Sequence, residues 1–269
     1  MSVKIIAEIG CNHNGSLERA KEMVRMAHDC GVDYVKFQAR NPLNSSEDIY
    51  DSPLFGKIPY REHRRRLEFN EEQFKEIDYL CQVALEIEWF ASVFDIDSFN
   101  LINKFNPKRW KVPPIPITEK GLLEKIVAEG KQTYVSTGMM NKNRFKDMIK
   151  IVNPAYCTLM HTYTVYPTQL NEVNLKMISK LKGFGFNVGY SGHDNSLAVT
   201  VAAIAFGATV IEKHITLDRS MPGTDHSASL EEAGLRKLVN DIRSLESAIG
   251  DGEFRLLDGE IASERKMKI

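Results

Sequence analysis

The chain has 269 residues, of which 43% are hydrophobic and 26% are charged, and its formal net charge is -1. This length suits one large domain or two small ones, and the near-neutral charge argues against a nucleic-acid partner. Four cysteines without C-x-x-C spacing predict free thiols in a reducing compartment. Because we find neither a signal-peptide pattern nor an apolar run of about 20 residues, we expect a cytoplasmic protein without membrane contact.

Segments typical of strands and of helices alternate along the chain. Helix starts are predicted after Ser16, Asn70 and Asn141 and at Thr118, and a last helix is predicted over 230–249. The predicted strands cover residues 3–9, 32–38, 88–94, 109–113, 132–137, 156–161, 186–190 and 209–214. Eight strands in such alternation predict an α/β fold of the closed (β/α)8 type, a TIM barrel, as a single domain over residues 1–250. An open doubly wound sheet is the alternative, although no G-x-G-x-x-G or Walker-type loop supports it.

Two segments do not follow the alternation. Residues 39–69 are polar and irregular, and a stretch of this length in a compact domain is usually functional or mobile. It contains a basic run, 61–66, which is either a solvated helical face or a surface that attracts an anionic substrate. Residues 251–269 are a polar C-terminal tail to which the pattern assigns no structure.

Polar residues stand at the carboxyl ends of the predicted strands. The interior of a barrel is normally filled by branched apolar side chains, so these residues mark one end of the barrel as the site. Lysine charge and serine hydroxyls suit a phosphate and a carboxylate. The anion-binding candidates are Lys36, Ser92, Lys111, Ser136 and Ser191, and the same strand ends carry Glu8, His161, His193, Glu212 and His214.

Two histidines end successive strands of the pattern. Strand alternation places Val210, Glu212 and His214 on one face, so that His214 and His193 converge at the barrel mouth. Two imidazoles there can bind a divalent metal and leave positions open for substrate and water. The alternative is two unrelated polar residues near strand ends.

Several motifs together resemble one family. The chain resembles the sialic acid (N-acetylneuraminate) synthases and their nonulosonate relatives, and it does so over nearly its whole length. The motifs, in the order in which they occur, are AEIGCNHNG, VKFQ, STGM, H-x-x-x-x-YP at 161–167, GYSGH, GATVIEKHITLD and PGTDHSAS.

The resemblance implies a barrel enzyme that condenses phosphoenolpyruvate with an N-acylated hexose resembling N-acetylmannosamine and releases phosphate. It implies a divalent metal, Mn or Mg, bound by His193 and His214, with Cys11 as a less favoured third ligand. Lys36, Lys111 and the three serines match positions that bind phosphoenolpyruvate. By the same resemblance, the residues that contact the sugar or the reacting centre are Glu8, Tyr166, Glu212 and Asp225.

The chain also departs from the family pattern. Pro114 replaces a phosphate-binding hydroxyl, Gly192 replaces an aspartate before the metal histidine, and Thr164 replaces an asparagine. We expect the usual C-terminal antifreeze-like domain to be missing. We therefore predict a homodimer in which residues 39–69 close over a barrel mouth, helped by 217–229 with Asp225 and His226 facing the site.

Two other functions remain compatible with these residues. A Schiff-base aldolase on the same barrel would use Lys36 or Lys111 with a depressed pKa, since Lys213 points outward. A sugar-binding relative without full activity would be consistent with Pro114 and the shortened chain.

Overall fold

A computed structural model describes residues 2–268, and its centre is a closed barrel of eight parallel strands. The predicted TIM barrel is therefore confirmed. The barrel strands are β1 (Lys4–Gly10), β2 (Tyr34–Ala39), β5 (Glu88–Val93), β6 (Arg109–Val112), β7 (Gln132–Ser136), β8 (Cys157–His161), β9 (Asn187–Gly192) and β10 (Val210–His214). Each strand pairs with the next one in this order, and β1 closes the barrel by pairing with β10.

Helices connect the strands. They are α1 (Leu17–Asp29), α2 (Tyr60–Leu67), α3 (Glu71–Tyr79), α4 (Ile96–Asn103), α5 (Leu122–Val127), α6 (Lys142–Met148), α7 (Lys176–Lys182), α8 (Leu197–Ala205), α9 (Glu232–Ala248) and α10 (Asp258–Met267). Side chains of Ser16, Asn70 and Asn141 cap α1, α3 and α6 as predicted. The helix start predicted at Thr118 is wrong, because a short 3₁₀ turn ends there and α5 begins only at Leu122.

The strands fill the barrel with alternating side chains. Outward residues such as Ile5, Val35 and Ile211 join the large core beneath the helices. The inward residues in the middle of the barrel form a separate apolar cluster made of Ile6, Tyr34, Phe90, Tyr134, Met160 and Val210. This cluster closes the barrel interior, so that the polar inward residues lie beyond it at the two ends.

The segment 39–69 is more ordered than its composition suggested. It forms an antiparallel hairpin of β3 (Ile49–Ser52) and β4 (Gly56–Pro59), which leads directly into α2. A Cβ added at Gly15, in the loop after β1, would lie 2.2 Å from the Arg66 carbonyl oxygen. The end of α2 is therefore packed against the carboxyl end of β1, over the chain's own barrel mouth.

The C-terminal residues contain a helix that the sequence pattern did not indicate. Helix α9 packs on the barrel through Leu235, Leu238 and Ile242, whereas α10 has no buried side chain among its described residues. Within residues 2–268, no helix combines the length and the apolar character that a membrane crossing requires.

Candidate active site

One cavity at the carboxyl ends of the barrel strands contains most of the predicted site residues. Its volume is about 260 Å³. Eleven predicted residues line it: Glu8, Lys36, Ser92, Lys111, Ser136, Tyr166, Ser191, His193, Glu212, His214 and Asp225. They come from seven strands and three loops, so only closure of the barrel brings them together.

Two lysines and two glutamates form the floor of the cavity. The Lys36 ammonium lies 2.6 Å from Glu8 Oε2 and 3.6 Å from Glu212 Oε1, and it donates to Ser92 Oγ at 2.7 Å. The Lys111 ammonium donates to both oxygens of Glu212 at 2.9 and 2.8 Å. Both ammonium groups therefore lie against the same Glu212 carboxylate at one end of the barrel.

The pKa values of the two carboxyl groups in this floor are shifted in opposite directions. Burial raises the pKa of Glu8 to about 7, because one lysine only partly offsets burial and the nearby Glu212 charge. Burial would raise the pKa of Glu212 as well, but Lys111 and Lys36 hold it below its usual value. Glu212 is thus an ionised anchor for two lysines, and Glu8 can exchange a proton near neutral pH.

The pKa values of the two lysines also differ, because the number of carboxylates near each ammonium differs. Burial lowers the pKa of Lys111, which has one carboxylate partner and the repulsive charge of Lys36 nearby. Burial also acts on Lys36, yet Glu212 and Glu8 together raise its pKa above the usual value. Lys36 is therefore firmly cationic, and Lys111 is the one of the two that loses a proton more readily.

The two candidate metal ligands lie side by side in the same cavity. Their ring centroids are 5.3 Å apart, and the Tyr166 ring lies 4.0 Å from that of His193. Burial lowers the pKa of His193 and of His214 to about 3. The imidazoles are therefore neutral near pH 7, which is the form that binds metals.

The hydrogen bonds of the histidines fit a divalent cation. His193 Nδ1 lies 2.6 Å from the carbonyl oxygen of Tyr163 and donates its proton there, which leaves the Nε2 lone pair free. Nδ1 of His214 is buried without a hydrogen-bond partner, and Asp225 Oδ2 is 3.6 Å away. Residues 2–268 contain no group of three or more His, Cys, Asp or Glu side chains with metal-site geometry.

The hydroxyl groups complete the lining. Ser191 donates to Glu212 Oε1 at 3.0 Å, and Ser136 accepts from the backbone of Gly138. Thr164, at the place of the expected asparagine, has a buried hydroxyl without a partner. This hydroxyl is available to a ligand, although Pro114 contributes none.

A second group of residues surrounds the mouth of the cavity. Arg40 follows β2, and Tyr60 and Arg64 belong to α2. Of the four arginines in the basic run 61–66, only Arg64 lines the cavity. The other three are at the surface, where Arg61 pairs with Glu47 and Arg65 and Arg66 pair with Glu62. The α2 turn directs these three outward, as the solvated alternative for the basic run describes.

Two histidines lie elsewhere than the sequence indicated. His161 is an outward residue of β8, and its Nε2 bonds to the carbonyl of Val173 at 2.8 Å. His226 bonds to the Thr216 hydroxyl at 2.7 Å beneath the loop and does not line the cavity. Strand alternation would have excluded His161 from the site, since Met160 is the inward residue of that strand.

The structure gives a physical reason for a glycine, rather than a longer residue, at position 192. A Cβ at this position would lie 2.5 Å from Tyr190 Cε1 and 2.9 Å from Asp194 Oδ2. The Tyr190 hydroxyl donates to the same Asp194 carboxylate at 2.6 Å. This buried pair occupies the space that a longer side chain at 192 would need. Lys213, outward but buried, supports the pair by donating to the Asp194 carbonyl.

Sequence reasoning missed two residues that line the cavity, Gln38 and Arg40. Gln38 donates to Glu8 Oε1 at 2.9 Å, and Arg40 lies over the Phe94 ring at 3.8 Å. Gln38 alternates with Lys36 on the inward face of β2, so the strand period contained its signal. Arg40 had no such signal, because it follows the end of the strand.

Comparison with known proteins shows the family of this chain. Residues 23–254 match the NeuB family. The chain is 38% identical over 273 residues to human N-acetylneuraminate-9-phosphate synthase, an alignment that covers 98% of this chain and 76% of that protein. The chain belongs to the NeuB family. It is also 38% identical to N,N'-diacetyllegionaminic acid synthase of Campylobacter jejuni, over 92% of this chain and 78% of that protein.

A solved structure extends the likeness to the whole fold. The N-acetylneuraminic acid synthetase of Leptospira borgpetersenii, crystallised with citrate, superposes with a TM-score of 0.85 at 28% identity. The superposition covers 100% of this chain and 93% of that one. The chain therefore shares its fold with that synthetase.

Proposed function

We propose that this NeuB chain condenses phosphoenolpyruvate with an N-acylated hexose to form a nonulosonic acid and inorganic phosphate. The observation that carries the proposal is the convergence of two buried lysines and three serines beside two neutral histidines in one cavity. Lysines and hydroxyls suit the carboxylate and phosphate of phosphoenolpyruvate. The names of the relatives as synthases of sialic, legionaminic and pseudaminic acids support the product class.

The proposed role of each residue follows from its charge and its hydrogen-bonding groups. Lys36 and Lys111 offset the anionic donor, and Ser92, Ser136 and Ser191 orient it by hydrogen bonds. A divalent cation, Mn or Mg, on His193 and His214 would supply Lewis-acid polarisation of the sugar aldehyde. Tyr166 and Asp225 border the same space and position the sugar.

The bond changes balance with one water. C3 of phosphoenolpyruvate attacks the aldehyde carbon, water adds at C2, and phosphate departs with its bridging oxygen. The second proton of the water leaves with the phosphate when C2 becomes a ketone, and the first passes to the aldehyde oxygen. Glu8 is suited to handle this proton, since its pKa is about 7 and it lies 2.6 Å from the Lys36 ammonium.

The aldolase alternative depends on Lys111. Burial lowers its pKa, as a Schiff-base lysine requires, but both oxygens of Glu212 hold its ammonium. Borohydride reduction in the presence of a keto acid decides between the two chemistries. A trapped adduct on Lys111 supports the aldolase, and its absence together with phosphate release supports the synthase.

The direct test measures phosphate release from phosphoenolpyruvate with a panel of N-acyl hexosamines, with and without Mn²⁺ or Mg²⁺. The synthase requires phosphate and a new nonulosonic acid in equal amounts, both dependent on the sugar and the metal. Sugar binding without phosphate release would identify the chain as a binding relative. The homodimer stays a prediction, which sedimentation of the purified protein checks.

A further inference from the structure

Two buried side chains next to the candidate metal ligands in the chain form an ion pair with each other. Lys213 precedes His214 in β10, and Asp194 follows His193 just beyond the end of β9. The Lys213 ammonium donates to the Asp194 carbonyl oxygen at 2.5 Å and lies 3.6 Å from Asp194 Oδ2. The two residues are 2% and 0% exposed, and neither lines the cavity. The pair is therefore outside the site but adjacent to both histidines.

Further hydrogen bonds hold the Asp194 side chain in place. Its Oδ2 accepts from the Tyr190 hydroxyl at 2.6 Å, and its Oδ1 accepts from the backbone N–H of Ser196 at 2.8 Å. Because Ser196 is the N-cap of α8, this one carboxylate joins β9, the start of α8 and β10. Within residues 2–268, Asp194 is the only carboxylate within salt-bridge distance of Lys213.

The backbone pairing of β9 with β10 stops just before the two histidines. The described ladder between these strands ends at Gly192 and Lys213. The residue that pairs with His214 is Glu8, on the other side of β10. The Lys213 side chain therefore supplies a contact between the His193 segment and the His214 segment at a level where the ladder no longer does.

The position of His214 depends on its backbone. The Nδ1 of its ring has no hydrogen-bond partner among the described residues, whereas His193 Nδ1 donates to the carbonyl oxygen of Tyr163. The direction of the His214 ring is thus set by packing and by the backbone on either side of it. A contact that fixes the backbone at Lys213 therefore also fixes the separation of the two imidazoles.

The energetics of a buried ion pair favour a positioning role over a stabilising one. The desolvation cost of such a pair can exceed its attraction, and replacement by apolar side chains is often neutral or stabilising. Metal binding, in contrast, depends strongly on geometry. Two nitrogens that share one cation must each lie roughly 2 Å from it, and a functional site requires its ligands to be held within about 0.5 Å.

We propose that the buried Lys213–Asp194 pair is a positioning device that holds the two histidines at the separation at which both bind one divalent cation. The inference rests on the proposed function, which assigns the cation to these histidines. The Tyr190 hydroxyl belongs to the same device, because it holds the carboxylate beside Lys213. Since none of the three side chains lines the cavity, they act through the histidines.

The test measures Mn²⁺ binding to the purified protein without substrates, from the electron paramagnetic resonance signal of free Mn²⁺. We expect Lys213→Met to raise the Kd for Mn²⁺ by about 10-fold or more, as is typical when residues that orient metal ligands are replaced. Tyr190→Phe, which removes one hydrogen bond to the carboxylate, should raise it by about 2- to 5-fold. Lys4→Met is the matched control, because it removes an ion-paired strand lysine at the amino end of the barrel. Its Kd should equal that of the wild type.

A double variant separates positioning from stability. Lys213→Met alone leaves a buried carboxylate unpaired and therefore also lowers the unfolding temperature. Combining it with Asp194→Asn removes both charges, so the double variant should regain stability but keep the weakened Mn²⁺ binding. If affinity returns together with stability, the pair only compensates charge and the inference is wrong. Should Lys213→Met fail to fold, the double variant and Tyr190→Phe decide the question.

The remaining outcomes distinguish this inference from the proposed function. Wild-type Mn²⁺ binding that all these variants retain overturns the inference and leaves the synthase proposal intact. A wild type that binds neither Mn²⁺ in this measurement nor Mg²⁺ in calorimetry overturns the metal role in the proposed function, and the inference with it.

Discussion

The two ends of the barrel contain similar charged residues, but these residues differ in how completely they are paired within the chain. At the amino end, Asp33 accepts from Lys4 at 2.8 Å, from the Ile5 backbone at 2.9 Å and from Arg243 at 2.9 Å. At the same end, Arg109 pairs with Glu88 and lies 4.0 Å over the Tyr34 ring. Every charge described there has a partner within the chain.

The carboxyl end leaves its groups incompletely satisfied. The pKa of Glu8 is raised to about 7, and within residues 2–268 the His214 Nδ1, the Thr164 hydroxyl and the Arg40 Nε lack hydrogen-bond partners. The apolar cluster in the barrel centre separates these two regions. The comparison indicates that charges at the amino end stabilise the fold, whereas those at the carboxyl end are arranged for ligands.

The largest expected effect is on activity at the carboxyl end. His214→Ala should lower turnover by at least about 100-fold, because one of two candidate metal ligands is lost. The unfolding temperature should change little. Lys4→Ala is the control at the amino end and should keep full activity, since its partner Asp33 is also held by Arg243. Full activity of His214→Ala in the presence of a chelator would disprove the metal role.

The next effect is on stability at the amino end. Arg109→Met should lower the free energy of unfolding by about 2–4 kcal/mol, because it leaves the largely buried Glu88 unpaired. Urea denaturation measures the loss, and turnover per folded molecule should stay within about two-fold. The double variant Arg109→Met with Glu88→Gln should recover part of the stability. A loss of activity without a loss of stability would contradict the division between the two ends.

A smaller effect is expected at Gly192. Gly192→Ala should cost about 1–3 kcal/mol, because its Cβ would lie 2.5 Å from the Tyr190 ring in a packed region. Gly259→Ala is the matched control: a Cβ there has no neighbour within 4 Å, so the change should be neutral or slightly stabilising. If both variants unfold at the same denaturant concentration, the packing explanation for Gly192 is wrong.

The smallest expected effect is on the pH dependence of stability, through Asp33 at the amino end. Burial alone would raise the pKa of Asp33, but hydrogen bonds from Lys4, Ile5 and Arg243 bring it below its usual 3.8. A carboxyl with a depressed folded pKa stabilises the protein above its unfolded pKa and loses that contribution as the pH falls through the folded value. Asp33→Asn should therefore cost on the order of 1 kcal/mol at neutral pH and progressively less below about pH 4. Urea denaturation at several pH values checks this, and a constant difference would refute the assignment.

Much of the architecture was predictable because it rests on local patterns. Helix caps such as Ser16 and Asn70 and the period-2 alternation of β2 and β10 are encoded within a few residues. The same alternation placed Glu212 and His214 inward and Lys213 outward. The errors occurred at turns and strand ends. At Thr118 the start of a helix was misplaced, and at His161 and His226 the direction of the side chain was wrong.

The sequence by itself determined eight strand–helix repeats, the inward residues of each strand and the family motifs that mark the cavity. Only the tertiary structure decided which charged side chains form ion pairs. Lys111 and Glu212 are 101 residues apart in the chain yet 2.8 Å apart in space, and that contact lowers the pKa of Glu212. Glu68, which pairs with Arg64 four residues before it, also accepts the backbone N–H of Arg40, a contact across 28 residues that no local pattern contains. Pairing energies depend on distance and burial, which arise only when the barrel closes.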